Sequence, residues 1–241
     1  MNKIFYTFFS LLLSVGLSAQ DLTITSGKSL TLSPGAYIII PGNLSNEGTV
    51  NLTASSTEYS QMKVSGSASG NGTVVQSQYL ESGSHLISSP FTQGFTTTSG
   101  DNTKLYSYDE TAGNWAAMGS NVSNAGVGYA ARVDAAQIPF LTAAATASVT
   151  GTPNTSFTWS LGFAATQSSG GSGSGWNLIG NPYTCGLNAA TVTFSGINAA
   201  FYIWDAITST YLYNSGAGGN LSNIIPPMQA FWVQATQSGT S

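Results

Sequence analysis

Gly175–Tyr183 reads GWNLIGNPY, and ninety-two positions before Trp176 the stretch Ser84–Phe91 opens as SHLISSPF. Both are short apolar runs closed by a polar residue and a proline. Proline brings no N–H to a sheet ladder and fixes its own φ, so each run reads as a core strand that stops at Pro90 or Pro182. The match continues downstream. Leu105–Asp109 (LYSYD) aligns with Phe201–Asp205 (FYIWD), and six residues beyond each Asp stands an aromatic, Trp115 or Tyr211. Gly128–Ala131 (GYAA) then aligns with Ala230–Val233 (AFWV). Matches in the same order predict one plan used twice: a strand stopped at proline, a variable loop, an aromatic hairpin whose turn opens on Asp, and a closing strand.

Strands at this spacing build sandwiches or barrels. Residues 81–241 are therefore expected to form a β-sandwich of two similar halves, 81–165 and 176–241, joined by the flexible loop QSSGGSGSG at 167–175. Between the copies, Ala147–Val149 and Phe157–Leu161 flank GTPNT at 151–155, whose turn chemistry predicts a hairpin.

Upstream, residues 20–80 alternate apolar and polar positions between turns. Leu22 and Ile24, Leu30 and Leu32, and Ile38 and Ile40 form pairs that start eight residues apart, and Leu44, Val50 with Leu52, and Met62 with Val64 follow more loosely. Each pair is one short half-buried strand. Pro34-Gly35, Pro41-Gly42-Asn43 and Asn46-Glu47-Gly48 supply the turns between them. No helical period appears. The expected fold class is all-β, with a short β-solenoid-like segment at 20–80, in which each rung buries its face on the next. An antiparallel meander is the competing arrangement, because the period slips after Leu44.

The first residues, MNKIFYTFFSLLLSVGLSAQ, carry Lys3, an apolar run from Ile4 to Leu13 and small residues at Gly16, Ser18 and Ala19. This is the pattern of a secretory signal peptide over 1–19, too short for a membrane span and followed by no stop-transfer pattern, so no membrane span is expected after its removal. The chain has 9 acidic and 5 basic residues in 241, a net charge of −4, and only 6% charged residues. Without a basic footprint nucleic acid is excluded as a partner, and solubility rests on hydroxyls and amides. Cys185 is the sole cysteine, so the chain has no internal disulfide. It follows a turn with no basic residue near it in sequence, which reads as an ordinary small side chain and not a nucleophile.

Candidate chemistry is sparse. His85, the only histidine, aligns with Asn177, which marks a polar strand position and not a catalytic base. Asp109, Glu110 and Asp205 could supply a carboxylate pair for glycoside cleavage, but Asp109 and Asp205 occupy matching turn-opening positions, where Asp caps its own backbone. Neither a clustered metal-ligand set nor a phosphate-binding glycine loop is present, and no cofactor is implied. The aromatics remain. Tyr106, Tyr108, Trp115, Trp204, Tyr211 and Tyr213 lie on or near the hairpins, where ring faces can pack in a core or meet a sugar or peptide. Tyr108, Trp115, Trp204 and Tyr211 are the candidate ligand-binding residues.

Taken together, the leader ending in SAQ, GNLSNEGTVNLT, VSGSASGNGTV, QYL, HLISSP, GWNLIGNPY and IPPMQAFWVQA resemble the secreted and surface proteins of gliding bacteria exported by the type IX secretion system. The resemblance spans nearly all of the chain after the leader. It implies a non-enzymatic secreted or cell-surface module of structural or adhesive kind, meeting extracellular polysaccharide or other surface proteins. In that family a C-terminal sorting domain follows such a region. It is not among these residues, so the chain reads as a fragment or as one without that anchor. The alternatives are a carbohydrate-binding module using the hairpin aromatics and the non-catalytic part of a larger secreted hydrolase.

Overall fold

A computed structural model describes residues 17–18, 20–80, 83–91, 105–117, 125–133, 141–142, 146–164, 175–193, 195–215 and 219–237. The leader apart from Leu17 and Ser18, and the Gly/Ser loop apart from Gly175, lie outside the described residues. The fold is all-β, with one 3₁₀ turn at Ala189–Thr191 among the described residues.

The first part of the chain contains β1 (Leu17–Ser18), β2 (Leu22–Ile24), β3 (Ser29–Leu32), β4 (Tyr37–Ile40), β5 (Leu44–Asn46), β6 (Thr49–Leu52), β7 (Gln61–Val64), β8 (Ala68–Ser69) and β9 (Thr73–Tyr79). Successive strands do not pair with each other. They take turns on three ladders, β1-β4-β7, β2-β5-β8 and β3-β6-β9, and every pairing along them is parallel, whereas a meander would make them antiparallel. Leu30, Val50 and Val74 stand above one another, as do Leu22, Leu44 and Ala68, and Ile38 sits on Met62. Alternation along each short strand sends these residues inward, and Leu44, Val50, Leu52 and Met62 are at most 1% exposed.

The register explains the slip in the sequence period. From Ile38 to Met62, Leu44 to Ala68 and Val50 to Val74 the repeat is 24 residues. The opening coil is shorter, since Leu22 pairs with Leu44 and Leu30 with Val50. Later coils put the difference into Thr53–Ser60, a side excursion closed by the Ala54–Tyr59 bridge and by the Ser60 N–H donating to Thr53 O.

Two four-stranded antiparallel sheets follow. One contains β10 (Gly83–Ser88), β11 (Leu105–Asp109), β12 (Asn114–Ala117) and β13 (Gly128–Val133), in the order β10-β13-β11-β12. Next come β14 (Leu141–Thr142) and β15 (Thr146–Gly151). The second sheet contains β16 (Trp176–Gly180), β18 (Ile197–Asp205), β19 (Thr210–Asn214) and β21 (Ala230–Ala235), ordered β16-β21-β18-β19, while β17 (Leu187–Asn188) pairs with β20 (Ile224–Ile225). Residues aligned in the sequence hold matching registers. Leu86 faces Ala130 as Leu178 faces Trp232, and Tyr108 faces Trp115 as Trp204 faces Tyr211. The sheets join through reciprocal contacts: Ile87 bridges Gln229 and Val127 bridges Ile179, while Ser88 N donates to Met228 O and Gly180 N to Gly126 O. Approach there is so close that a Cβ on Gly180 would collide with Ser88.

The hairpin expected across 147–161 is not formed. β15 pairs antiparallel with β9 and with β14, and residues 155–160 form no strand. The reason is competition. After its last coil β9 exposes a full row of backbone donors and acceptors, and β15 covers it. Leu161, with Trp159 against it, is freed to pack in the core of the second sheet. Asn154, in the predicted turn, donates instead to Pro90 O at 3.3 Å and Pro182 O at 2.9 Å, tying the two strand stops together. The edge of β7 is covered in turn: Met62 N donates to Thr184 O at 2.9 Å, and Thr184 Oγ1 donates to Met62 O at 2.6 Å.

Three apolar clusters result. The first runs from the coil interior into the inner face of the first sheet, through Leu80, Ile87, Phe91, Leu105, Tyr129 and Ala131. A second, around Phe201, Phe231 and Val233, lies under the second sheet. The third lies where the sheets meet, and there Leu86 and Leu178 are buried with Ala230 and Trp232.

Candidate functional site

Period-two alternation divides the side chains of the second sheet. Phe201, Ile203, Phe231 and Val233 go to its own core, which turns Tyr202, Trp204 and Trp232 toward the seam between the sheets. Tyr108 of β11 reaches the same seam from the first sheet, with Trp115 directly opposite it on β12.

Six aromatic side chains, Tyr108, Trp115, Trp176, Tyr202, Tyr211 and Trp232, line a cleft of about 490 Å³. Trp232 is its floor at 9% exposure, while Trp115 and Tyr211 are 42% and 47% exposed. The rings meet edge to face. Trp232 lies 4.9 Å from Tyr108 at 83°, 5.6 Å from Trp115 at 78° and 6.3 Å from Trp176 at 90°, and Trp176 meets Tyr202 at 5.5 Å and 66°. Each such pair contributes about 0.5–1.5 kcal/mol beyond its buried area, so the rings hold one another in place. The Trp232 indole N–H donates to the Tyr211 hydroxyl at 3.2 Å. Among the described residues no charged side chain lines the cleft.

Of the candidate binding residues, Tyr108, Trp115 and Tyr211 therefore converge. Trp204 does not line the cleft. It packs edge-on against Tyr211 at 5.0 Å, with its indole nitrogen buried and without a hydrogen-bond partner. The sequence reading missed Trp176, Tyr202 and Trp232. Their signal was present in the strand alternation, which puts Trp176 on the face of Leu178 and Trp232 opposite Leu178.

The carboxylates are engaged in turns. Asp109 Oδ1 accepts from Ala112 N at 3.0 Å, and Asp205 accepts from Ile207 N at 3.0 Å and from the Thr208 hydroxyl at 2.6 Å. The Thr208 hydrogen bond, aided by these N–H groups, holds the Asp205 carboxyl below the usual carboxylate range. Glu110 Oε1 accepts from Ala164 N at 3.0 Å and Gly175 N at 2.7 Å, drawing together the chain on either side of residues 165–174 beside Trp176. Asn177, the counterpart of His85, binds Gly162 N and O through its amide, both at 2.8 Å. Lys63, distant in sequence, lies close enough to Cys185 to pull its thiol pKa down, but burial outweighs it and raises the value overall, so the thiol stays protonated. Among the described residues no three His, Cys, Asp or Glu side chains cluster as metal ligands, and no helix is long and apolar enough to cross a membrane.

Residues 11–238 match the family model described as Domain of unknown function (DUF8693), and the chain belongs to that family. No curated protein and no solved structure matches it.

Proposed function

We propose that this member of the DUF8693 family is a non-enzymatic, secreted or cell-surface adhesion module, of the kind exported by type IX secretion, that holds an uncharged extracellular polymer in its aromatic cleft. The cleft carries this reading: two sheets contribute six rings to one concave surface, with no charged group among the described residues that line it. Buried apolar rings with a few polar tips are the usual lining of binding sites. The catalytic alternatives lack support of this kind, since Asp109, Glu110 and Asp205 accept from nearby backbone groups and Cys185 is held as the thiol. The parallel coils of 20–80 are read as a short solenoid, and the matched sheets as a duplicated unit forming a sandwich.

The test is retention on a panel of uncharged polymers, soluble glucans and xylans in affinity electrophoresis and proline-rich peptides on beads. Retention on at least one of them, lost in Trp115→Ala while the melting temperature holds, is the expected outcome. Retention on none, or retention that Trp115→Ala leaves intact, would refute the cleft as the binding site.

A further inference from the structure

We propose that the occupant of the cleft is an uncharged proline-rich segment in the polyproline II conformation; this rests on the cleft being the binding site. Three observations select that chemistry.

Ring geometry is the first. A flat sugar ring is received by broad, coplanar aromatic faces, but here Trp232 stands at 78–90° to Trp115, Tyr108 and Trp176. Perpendicular rings produce slots walled by one face and one edge. Pyrrolidine rings projecting from a three-residue-per-turn helix fill such slots, which is how aromatic grooves receive proline-rich ligands.

The second is the hydrogen-bond inventory. The described lining side chains carry indole N–H and phenol O–H groups, with no carboxylate or side-chain amide among them. The Tyr211 oxygen already accepts from Trp232, so its own proton is directed to another acceptor. A sugar hydroxyl donates as well as accepts, and among these side chains only phenol oxygens could receive its proton, that of Tyr211 being already taken by Trp232. A polyproline backbone presents carbonyl acceptors and no N–H at each proline, which complements a wall of donors.

The third is charge. Among the described residues the lining has no ionised group, which gives a charged ligand no compensation for its lost hydration, so the complementary segment is neutral along the contact.

The experiment titrates the full chain with a neutral-capped oligoproline of about ten residues, roughly three turns of the helix, and separately with cellohexaose, following tryptophan fluorescence and heat. Saturable binding of the oligoproline is expected, weakened about tenfold or more by Trp115→Ala as for loss of a central aromatic anchor. Tyr211→Phe, which removes the outward donor and also the acceptor of the Trp232 indole N–H, is expected to weaken it several-fold with the fold intact. Oligoproline binding unaffected by both substitutions would overturn the proposal, as would saturation by neither ligand. Saturation by cellohexaose alone, sensitive to Trp115→Ala, would overturn the proline-rich occupant and leave the cleft as the binding site.

Discussion

Asn181 gives GWNLIGNPY its rigidity. Fully buried, it donates from Nδ2 to Cys185 O, Ile225 O and Pro226 O at 2.8, 2.9 and 3.0 Å and accepts the Tyr183 N–H at Oδ1. Among the described residues its counterpart Ser89 makes a local turn bond, accepting from Phe91 N at 3.2 Å. Asn181→Ala removes a hydrogen-bond partner from four backbone groups at once and is expected to cost about 3 kcal/mol or more in denaturant unfolding. Asn181→Asp would aim a carboxylate at three carbonyls. Its folded pKa is raised above the unfolded value, so the penalty is present at neutral pH and shrinks as pH falls through that raised pKa, and the variant should melt higher in acid than at neutrality relative to wild type. A second expectation concerns the hairpin turns. Gly113 and Ser209 fill the same place after each Asp with φ of 66° and 52°. Left-handed backbone costs an L-residue about 1 kcal/mol, partly offset by glycine's greater freedom when unfolded. Ser209→Gly should raise the melting temperature by about 1–2 °C, and Gly113→Ser should lower it. The proline stop was legible at this scale because proline acts locally. Asn181's role was not, since its partners Ile225 and Pro226 lie more than forty positions away.

At the scale of the strand, the repeated apolar run closed by proline placed Leu86 and Leu178 as core, and the structure buries both in the seam cluster at 6% exposure. Leu86→Ala and Leu178→Ala should each cost about 2–5 kcal/mol, and calorimetry should show one transition lowered in both, because each removes packing from the surface the sheets share. Two separate transitions, each sensitive to one substitution, would mean that the sheets fold independently. Trp115 behaves differently. At 42% exposure its replacement by Ala should shift melting far less than either leucine change. Sequence reasoning went astray at β15 for a physical reason. A turn motif such as GTPNT permits reversal but does not choose the partner, and the open edge of β9, where Thr146 pairs with Tyr79 and Gly151 with Val74, offered a longer ladder than Phe157–Leu161.

Across the whole molecule, the all-β class was legible from alternation and turn residues. The three-ladder arrangement was not, because eight-residue spacing between strands does not say that pairing partners lie 24 residues apart. Nor did the aromatics disclose that rings from both sheets share a cleft, which depends on contacts between distant strands. The apolar cluster that begins at Leu22 and ends at Met228 binds coil and first sheet into one body. Leu44→Ala in the coil and Leu105→Ala in the sheet should therefore depress the same melting transition, each by about 2–5 kcal/mol. The covered edges of β7 and β9 also set an order of events in time. During synthesis the coils emerge first, yet the groups that seal them, Thr146–Gly151 against Thr73–Tyr79 and then Thr184 against Met62, are made later. Closing such long loops is slow, so a nascent chain presents a sticky edge at β9 until its middle third is made and another at β7 until its final third arrives, and that interval is when it most needs a chaperone.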